Sequence, residues 1–147
     1  MFRHILVPTD GSALSLRAAK KAVAFAKASG ARITAFYAGP LYAVQIYGDF
    51  VPPDFVTPQE FARHSRRAGE RHLAAIEKTA KAAGVSCQTH YVASDSPWEA
   101  IIKSAKSKKC DLIFMASHGR RGLSALLLGS ETQKVLTHSK LPVLVHR

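Results

Sequence analysis

The sequence predicts one α/β domain over residues 1–147, built on a parallel, doubly wound sheet. Apolar, strand-like runs alternate with segments of helical periodicity from one end of the chain to the other. Helices between successive strands are typical of parallel pairing with right-handed crossovers, which place helices on both faces of the sheet. The predicted order of elements is therefore β-α-β-α-β-α-β-α-β.

The first strand and helix have clear boundaries in the sequence. The apolar run at 4–7 ends at Pro8, as expected for a buried parallel strand. A turn follows, and Ser12 is suited to cap the next helix. That helix covers 13–29, places small and apolar residues on one stripe, and ends at Gly30.

The second strand covers 32–38 and leads into a segment, 39–57, that fits no regular element. The segment contains two tyrosines and two phenylalanines among three prolines. A loop of this length in a compact domain is often a lid or a partner surface. Packing of its aromatic side chains over the core fits the composition equally well.

The third strand lies between two predicted helices. A long helix over 58–83 begins with a proline in its first turn and ends at Gly84. Alternating polarity predicts the strand over 85–92. Ser96 and Glu99 then have the spacing of a capping box, which predicts the start of the next helix.

The last elements follow the same pattern. The apolar run at 111–116 predicts the fourth strand. A second capping box, formed by Ser130 and Gln133, predicts the start of a short helix. The final strand covers 141–145 and has a proline near its start, where proline is tolerated.

The loop between the fourth strand and the fourth helix is the most informative part of the sequence. Its glycines, including Gly119 and Gly129, allow close approach of backbone to a ligand, and Arg120 and Arg121 add positive charge. Consecutive backbone N–H groups and the N-terminus of a helix both favour a polyanion. The composition fits a phosphate site, and it fits equally a well-capped connection with surface arginines.

A second loop has suitable chemistry for the same ligand. Residues 8–12 follow the first strand and read Pro-Thr-Asp-Gly-Ser. Open α/β sheets bind ligands beyond the carboxyl ends of their strands. If the first and fourth strands are neighbours, the two loops share one crevice.

The charge of the chain attracts anions without selecting among them. The formal net charge is +11, from 21 Lys and Arg against 10 Asp and Glu. Such a field favours nucleotides, nucleic acid and anionic lipid alike. Basic clusters at 63–71 and 103–109 lie on predicted helices without interleaved aromatics, so solvated helix faces explain them better than nucleic-acid binding.

Apolar runs, the first residues and the cysteines bear on the compartment of the protein. No apolar run is long enough to cross a membrane, and the first residues lack the pattern of a signal peptide. Cys87 and Cys110 are far apart and form no metal or redox motif. We therefore expect a cytoplasmic protein with ordinary buried thiols and no membrane partner.

Motifs for catalysis are missing from the sequence. There is no P-loop, no Gly-x-Gly-x-x-Gly after the first strand and no Gly-x-Ser-x-Gly elbow. His4, His90 and His146 are best explained as single buried or surface histidines. His118 lies inside the glycine loop, where it is suited to line a pocket or to make a structural hydrogen bond. No nucleophile, base and orienting group come together, so the sequence does not support catalysis.

Three segments together carry a resemblance to a known family. Residues 5–12 read Ile-Leu-Val-Pro-Thr-Asp-Gly-Ser, residues 115–122 read Met-Ala-Ser-His-Gly-Arg-Arg-Gly, and residues 141–145 read Leu-Pro-Val-Leu-Val. With Leu-Gly-Ser at 128–130, they resemble the first strand and turn, the nucleotide loop and the last strand of universal stress proteins. The resemblance covers essentially the whole chain.

That resemblance implies a fold and an assembly. The fold is a five-stranded Rossmann-like sheet of order 3-2-1-4-5, of the adenine nucleotide alpha hydrolase-like type. The assembly is a homodimer in which the last strands, at 141–146, pair antiparallel across a twofold axis.

The ATP-binding branch of the family carries the motif Gly-x2-Gly-x9-Gly-Ser/Thr. Gly119, Gly129 and Ser130 match its last three positions, whereas Ala116 occupies the first. The extra methyl group would crowd nucleotide or loop, but alanine tolerates a strand end with negative φ. The branch that does not bind nucleotide loses most of this loop, and this chain keeps it. The resemblance thus implies ATP, with Mg or Mn, as the bound cofactor.

The resemblance also implies the residues of a nucleotide site. Pro8, Thr9 and Asp10 would border the adenosine, with Asp10 near the ribose or a nucleotide-bound metal ion. The backbone at Ala38 would read the adenine edge. Met115, on the fourth strand, would pack near the base. The loop after that strand would wrap the phosphates, through Ala116, Ser117, His118, Gly119, Arg120, Arg121 and Gly122. The start of the next helix would donate to phosphate oxygens, through Gly129, Ser130, Glu131 and Thr132.

Together these observations favour an ATP-binding regulatory or stress-adaptation protein in which hydrolysis is at most weak. The alternative is a nucleotide-independent dimeric interaction protein that uses the 39–57 loop to hold an unidentified protein partner. Non-specific binding of nucleic acid through the charged surface ranks third, and it would depend steeply on salt.

Overall fold

The computed structural model describes residues 1–43, 56–119 and 127–147. Most of the 39–57 segment, and the predicted site residues Arg120, Arg121 and Gly122, lie outside the described residues. Strands and helices alternate as predicted: β1 His4–Pro8, α1 Ala13–Ser29, β2 Arg32–Gly39, α2 Pro58–Ala82, β3 Cys87–Ala93, α3 Pro97–Ser107, β4 Leu112–Ala116, α4 Ser130–His138 and β5 Val143–His146.

The five strands form one parallel sheet in the order β3-β2-β1-β4-β5. The predicted fold class and strand order are therefore confirmed. β1 and β4 are buried along their whole length because they lie at the centre of the sheet between two layers of helices. This arrangement makes the first and fourth strands neighbours, which was the condition for a shared crevice.

Each face of the sheet has its own apolar core. Alternate residues of β1 point to opposite faces, so Ile5 and Val7 pack with α1 and α2, whereas Leu6 packs with α3 and α4. Leu73 and Ile76 of α2 lie in the first core, and Ile101 and Val135 lie in the second; all four are buried. The two layers pack against β1 and β4, which lie side by side in the sheet.

Two of the predicted helix boundaries are confirmed by their caps. Ser12 accepts a hydrogen bond from the backbone N–H of Ser15 at 3.2 Å, and it starts α1 as expected. Gly30 ends the same helix with a left-handed backbone, φ 68°. At α2, the cap is a full capping box between Thr57 and Glu60, which was not among the predicted caps.

Both capping boxes that the sequence analysis predicted are wrong. Ser96 is the N-cap of α3, but it has φ −120° and ψ 80°, and its side chain caps nothing. The N-cap of α4 is Gly129, so Ser130 is already the first helical residue and no side chain of the described ranges caps the helix. In place of the Ser96 side chain, Glu131 accepts a hydrogen bond from the backbone N–H of Trp98 at 2.8 Å.

Two strands begin two residues later than predicted. β3 starts at Cys87 because the N–H of Val85 is still bonded to Ala80 at the end of α2. β5 starts at Val143, since Pro142 has no N–H to donate and contributes only its carbonyl, which accepts from Ile113. Both shifts are local and leave the topology unchanged.

The described ends of the 39–57 segment are tied together. The Tyr42 hydroxyl donates to the carbonyl of Val56 at 2.7 Å, and the Tyr42 ring lies 5.4 Å from the ring of Phe61 on α2. The backbone N–H of Leu41 donates to Asp95 at 3.1 Å. Of the 39–57 aromatics, Tyr42 thus packs against the domain itself, through Phe61 of α2.

Within the described ranges, none of the helices combines the length and the apolar character that a membrane crossing requires.

Candidate functional site

The loops after β1 and β4 meet at the carboxyl edge of the sheet. Backbone hydrogen bonds continue past both strand ends, from Thr9 N–H to Phe36 at 2.9 Å and from Ser117 N–H to His146 at 2.8 Å. These bonds hold the first residue of each loop in line with its strand. The predicted convergence of the two loops is thus present in the structure.

The loop after β1 is organised by its own side chains. Thr9 is buried, and its Oγ1 atom lies 2.8 Å from the Ser15 hydroxyl oxygen. The same Oγ1 atom accepts a hydrogen bond from the N–H of Gly11 at 3.0 Å. Asp10 Oδ1 accepts from the N–H of Ser12 at 2.9 Å. The turn requires left-handed backbone at Gly11, φ 80°, which glycine adopts without strain. The Asp10 carboxylate is consequently held at the crevice with Oδ1 engaged by the turn.

Asp10 and Gly119 bring the two loops into direct contact. A Cβ atom at Gly119 would clash with Asp10 Oδ2. The absence of a side chain at 119 therefore allows the β4 loop to pass close to the carboxylate. This close approach supplies a physical reason for the second glycine of the motif.

Gly129 fixes the junction between the loop and α4. Its N–H donates to the carbonyl of Ser117 at 2.8 Å, and a Cβ atom there would lie 3.0 Å from the His118 Cα. One helical turn later, the buried Thr132 hydroxyl donates to the carbonyl of Ala116 at 3.0 Å. Both bonds place the start of α4 directly beside the end of β4.

The start of α4 is chemically suited to a phosphate group. No side chain of the described residues caps its first turn, and its dipole directs positive potential toward the crevice. Ser130, as the first helical residue, contributes both a backbone N–H and a hydroxyl. A helix start with unpaired donors is a suitable anion site, and so these donors fit the phosphates of a nucleotide.

The first motif position tolerates alanine. Ala116 is the last residue of β4, pairs in register with His146, and does not have a positive φ. Only left-handed backbone would exclude a Cβ atom on conformational grounds. The departure of this chain from the glycine pattern therefore causes no backbone strain at this position.

The other predicted residues differ in burial and in their hydrogen-bond partners. Pro8 and Met115 are buried at the ends of β1 and β4, whereas Ala38 is half-buried against the second core. The Ser117 hydroxyl lies 3.0 Å from His118 Nδ1, which gives that histidine a structural partner. The Glu131 carboxylate turns toward α3 and binds Trp98 N–H, with the Lys134 ammonium 3.3 Å away.

Two residues that shape this site were not predicted from the sequence. Ser15 supports Thr9 from α1, at a spacing with no known signature. The His72 ring stacks on Tyr37 at 5.5 Å and packs against Gly11, where a Cβ atom would lie 2.6 Å from Nε2. Because His72 lies on a distant helix, no local pattern could have linked it to the turn.

Metal binding by protein side chains alone is not supported. No group of three or more His, Cys, Asp or Glu residues close enough to hold a metal ion occurs in the part of the chain that the structure describes. Asp10 is one oxygen donor at the crevice, which fits a cation only if a nucleotide supplies most of the ligands.

Comparison with known proteins identifies a family. The sequence model of the universal stress protein family matches residues 1–147. Universal stress protein MJ0531 of Methanocaldococcus jannaschii is 32% identical over 148 residues, covering 99% of this chain and 82% of the relative. A universal stress protein of Thermus aquaticus is 33% identical over 148 residues and is covered completely, as is this chain.

Solved structures agree with these sequence relationships. The structure of MJ0577, a protein of Methanocaldococcus jannaschii, has a TM-score of 0.81 and 28% identity, covering 99% of this chain and 95% of that one. A universal stress protein crystallised in complex with cAMP has a TM-score of 0.71 and 26% identity, covering 99% and 97% of the two chains.

Proposed function

Since this chain belongs to the universal stress protein family, we propose that it binds an adenine nucleotide, ATP with Mg or Mn, as a regulatory or stress-adaptation protein. The observation that carries the proposal is the junction at Gly129. Its N–H bond to Ser117 and the Thr132 bond to Ala116 place the start of α4, which no described side chain caps, beside the end of β4. In the β4 loop, Gly119 lies close to the carboxylate of Asp10. A phosphate chain placed there would contact donors of the β4 loop and of the start of α4.

The proposed site divides the work among its residues. Pro8, Thr9 and Asp10 border the adenosine, Ala38 reads the adenine edge through its backbone, and Met115 packs near the base. The phosphates contact the β4 loop and the start of α4, formed by Ala116, Ser117, His118, Gly119, Arg120, Arg121, Gly122, Gly129, Ser130, Glu131 and Thr132. Asp10 would also orient a metal ion that the nucleotide carries. The Glu131 carboxylate is bound to Trp98 N–H, and the Thr132 hydroxyl donates its one proton to the Ala116 carbonyl. At both residues the backbone N–H is therefore the group left for phosphate contact, which corrects the expectation that the Thr132 hydroxyl donates to phosphate.

The comparisons support an adenine ligand. The related structure at 26% identity contains cAMP, which shares the adenosine moiety with ATP. Adenosine recognition at β1, β2 and β4 is separate from phosphate binding at α4, so one site accommodates ligands with different phosphate groups. Three phosphates suit this chain because its loop adds Arg120 and Arg121 to the helix start.

Hydrolysis, assembly and location are further parts of the proposal. Asp10 would help to hold a nucleotide-bound metal ion, which would supply polarisation of the phosphates, and the proposal extends at most to weak hydrolysis by an ordered water. A homodimer would form through residues 141–146, because β5 ends the sheet that the described strands form and its side chains are half-exposed. We place the protein in the cytoplasm.

Substitution of Gly129 tests the site. Gly129→Val places side-chain atoms against the His118 backbone and displaces the loop from α4, so we expect saturable Mg-ATP binding to be lost. Gly84→Asn is the matched control, because asparagine tolerates left-handed backbone and nothing lies within 4 Å of the Cβ position at Gly84. Circular dichroism establishes that both variants fold. Unchanged ATP affinity in a folded Gly129→Val variant would contradict the site assignment.

A further inference from the structure

A basic cavity lies at the edge of the sheet opposite to the proposed nucleotide crevice. It has a volume of about 460 Å³ and is open to solvent. The starts of β1, β2 and β4 contribute to it, together with the turns that end α1 and α3. Its lining consists of Arg3, His4, Gly30, Arg32, Lys109 and Asp111. None of these residues belongs to the proposed nucleotide site.

Cations dominate the lining of this cavity. Arg3, Arg32 and Lys109 are exposed, and none of them forms an ion pair with a carboxylate of the described residues. The one acid in the lining is Asp111, whose two oxygens accept from the backbone N–H groups of Arg3 at 2.8 Å and His4 at 2.9 Å. Asp111 therefore serves to join β4 to β1, and the cavity keeps a positive potential.

The backbone at Lys109 is unusual. Lys109 has φ 55°, and no other non-glycine residue of the described chain has a positive φ. Glycine would adopt this turn without strain, whereas a lysine does so at a cost. A left-handed residue is a common way to end a helix, and the N–H groups of Lys109 and Cys110 bond back to Lys106 and Ala105 at the end of α3. This turn places Lys109 at the rim of the cavity.

Space for a ligand is present beside Lys109. Gly30, which ends α1 on the same rim, has nothing within 4 Å of the position that its Cβ would occupy. Arg32 follows two residues later and pairs in register with His4 across the sheet. Two guanidinium groups and one ammonium group thus surround an open volume rather than a packed one.

His4 lies at the base of the cavity, and the charges of the lining affect its pKa. The side chain is buried, with Nε2 2.7 Å from the Thr34 hydroxyl and a buried Nδ1 that has no hydrogen-bond partner in the described residues. Burial lowers the pKa of the imidazole, and the charge of Arg32 lowers it further. The charge of Asp111 and the nearby carbonyls of Lys108 and Lys109 oppose these effects. Neutralisation of Arg32 would therefore raise the pKa of His4.

We infer that this cavity is a second anion site, which binds a small phosphate-bearing anion of about the size of pyrophosphate. The planar guanidinium groups of Arg3 and Arg32 match phosphate oxygens geometrically, and Lys109 adds a mobile point charge. The site lies on solvent-exposed side chains, so its affinity falls as ionic strength rises. It goes beyond the proposed function because it uses the opposite edge of the sheet.

An NMR titration with sodium pyrophosphate tests this inference, with the ring resonances of His4 and His118 as reporters for the two edges of the sheet. We expect saturable shifts at His4, together with a rise in its pKa. Arg32→Gln should weaken the pyrophosphate affinity at this edge by about tenfold, as expected for loss of a charged donor. Lys20→Gln, an exposed substitution on α1, is the matched control and should bind like the wild type.

Lys109→Gly separates binding from folding. Glycine relieves the left-handed backbone, so we expect an equal or higher Tm together with weaker pyrophosphate binding at His4. Two results would overturn the inference. One is a titration in which only His118 shifts, because pyrophosphate then occupies the nucleotide crevice alone. The other is an Arg32→Gln or Lys109→Gly variant that binds at His4 with wild-type affinity.

Discussion

The carboxylate of Glu131 accepts a hydrogen bond from the backbone N–H of Trp98 at 2.8 Å, and this bond links two helices that follow different strands. Glu131 lies in the first turn of α4, beside the proposed phosphate site, whereas Trp98 lies in the first turn of α3. The start of α3 has no cap from its own residues. One helix start in this domain therefore depends on a side chain from the next.

Replacement of Glu131 should destabilise the protein. Glu131→Ala removes the acceptor for Trp98 N–H, and loss of a helix cap costs about 1 kcal/mol in free energy of unfolding. Glu131→Gln keeps an acceptor oxygen and should retain most of that stability. Lys134→Ala is a second control, because an exposed ion pair contributes little. Urea denaturation measures all three, and equal stability of Glu131→Ala and the wild type would show that the cap contributes nothing.

The Asp111 carboxylate should make stability depend on pH. Although partial burial raises its pKa, hydrogen bonds from the N–H groups of His4 and Arg3 outweigh this effect and hold the pKa below its ordinary value of 3.8. A carboxyl with a lowered pKa stabilises the folded state above its unfolded pKa and loses this contribution as the pH falls through the folded pKa. The stability difference between the wild type and Asp111→Asn should be constant above about pH 5 and shrink below it.

Urea denaturation of both proteins between pH 7 and the acid limit of folding measures that difference. Glu77→Gln, an exposed substitution on α2, serves as the control for general charge effects. A difference that grows as the pH falls would contradict the role given to Asp111.

The first two positions of the nucleotide motif should respond differently to substitution. Gly119→Ala places a methyl group against Asp10 Oδ2, so we expect weaker Mg-ATP binding in a folded protein. Ala116→Gly restores the family's glycine but relieves no strain, because the φ of Ala116 is not positive. It should leave the ATP affinity unchanged and reduce stability by roughly 0.5–1 kcal/mol, the usual cost of glycine in a strand. A large gain in affinity from Ala116→Gly would show that the methyl group obstructs the ligand.

The thiol of Cys110 should be unreactive in the folded protein. Burial, with a smaller contribution from the Asp111 charge, raises its pKa to about 11. Burial also raises the pKa of Cys87, which is more exposed. Because the thiolate is the reactive species, we expect slow modification of both thiols at pH 8 and fast modification of both in denaturant. Rapid modification of Cys110 under native conditions would contradict the burial that the structure gives it.

Much of the fold could be predicted because strands and helices leave local patterns. Ser12 and Gly30 mark the ends of α1 in the sequence, and both act there as caps. The alternation of elements predicted a parallel sheet, whereas the strand order came from the family resemblance. Local pattern was misleading at Ser96, because a residue distant in sequence, Glu131, supplies the cap for α3.

The geometry of the candidate site was less predictable for the same reason. The closeness of Gly119 to Asp10 is a contact between loops that are far apart in the chain. His72 reaches Gly11 from the middle of α2, and the cavity at Arg32 and Lys109 forms only when three strands align. Such contacts depend on tertiary packing, which no spacing rule contains.

A calorimetric titration with Mg-ATP of the purified protein, stripped of bound nucleotide, tests the central claim most directly. The account predicts saturable binding with one nucleotide per chain, at an affinity that Gly129→Val abolishes. Absence of binding heat at several temperatures, in protein shown to be folded and free of ligand, would contradict it.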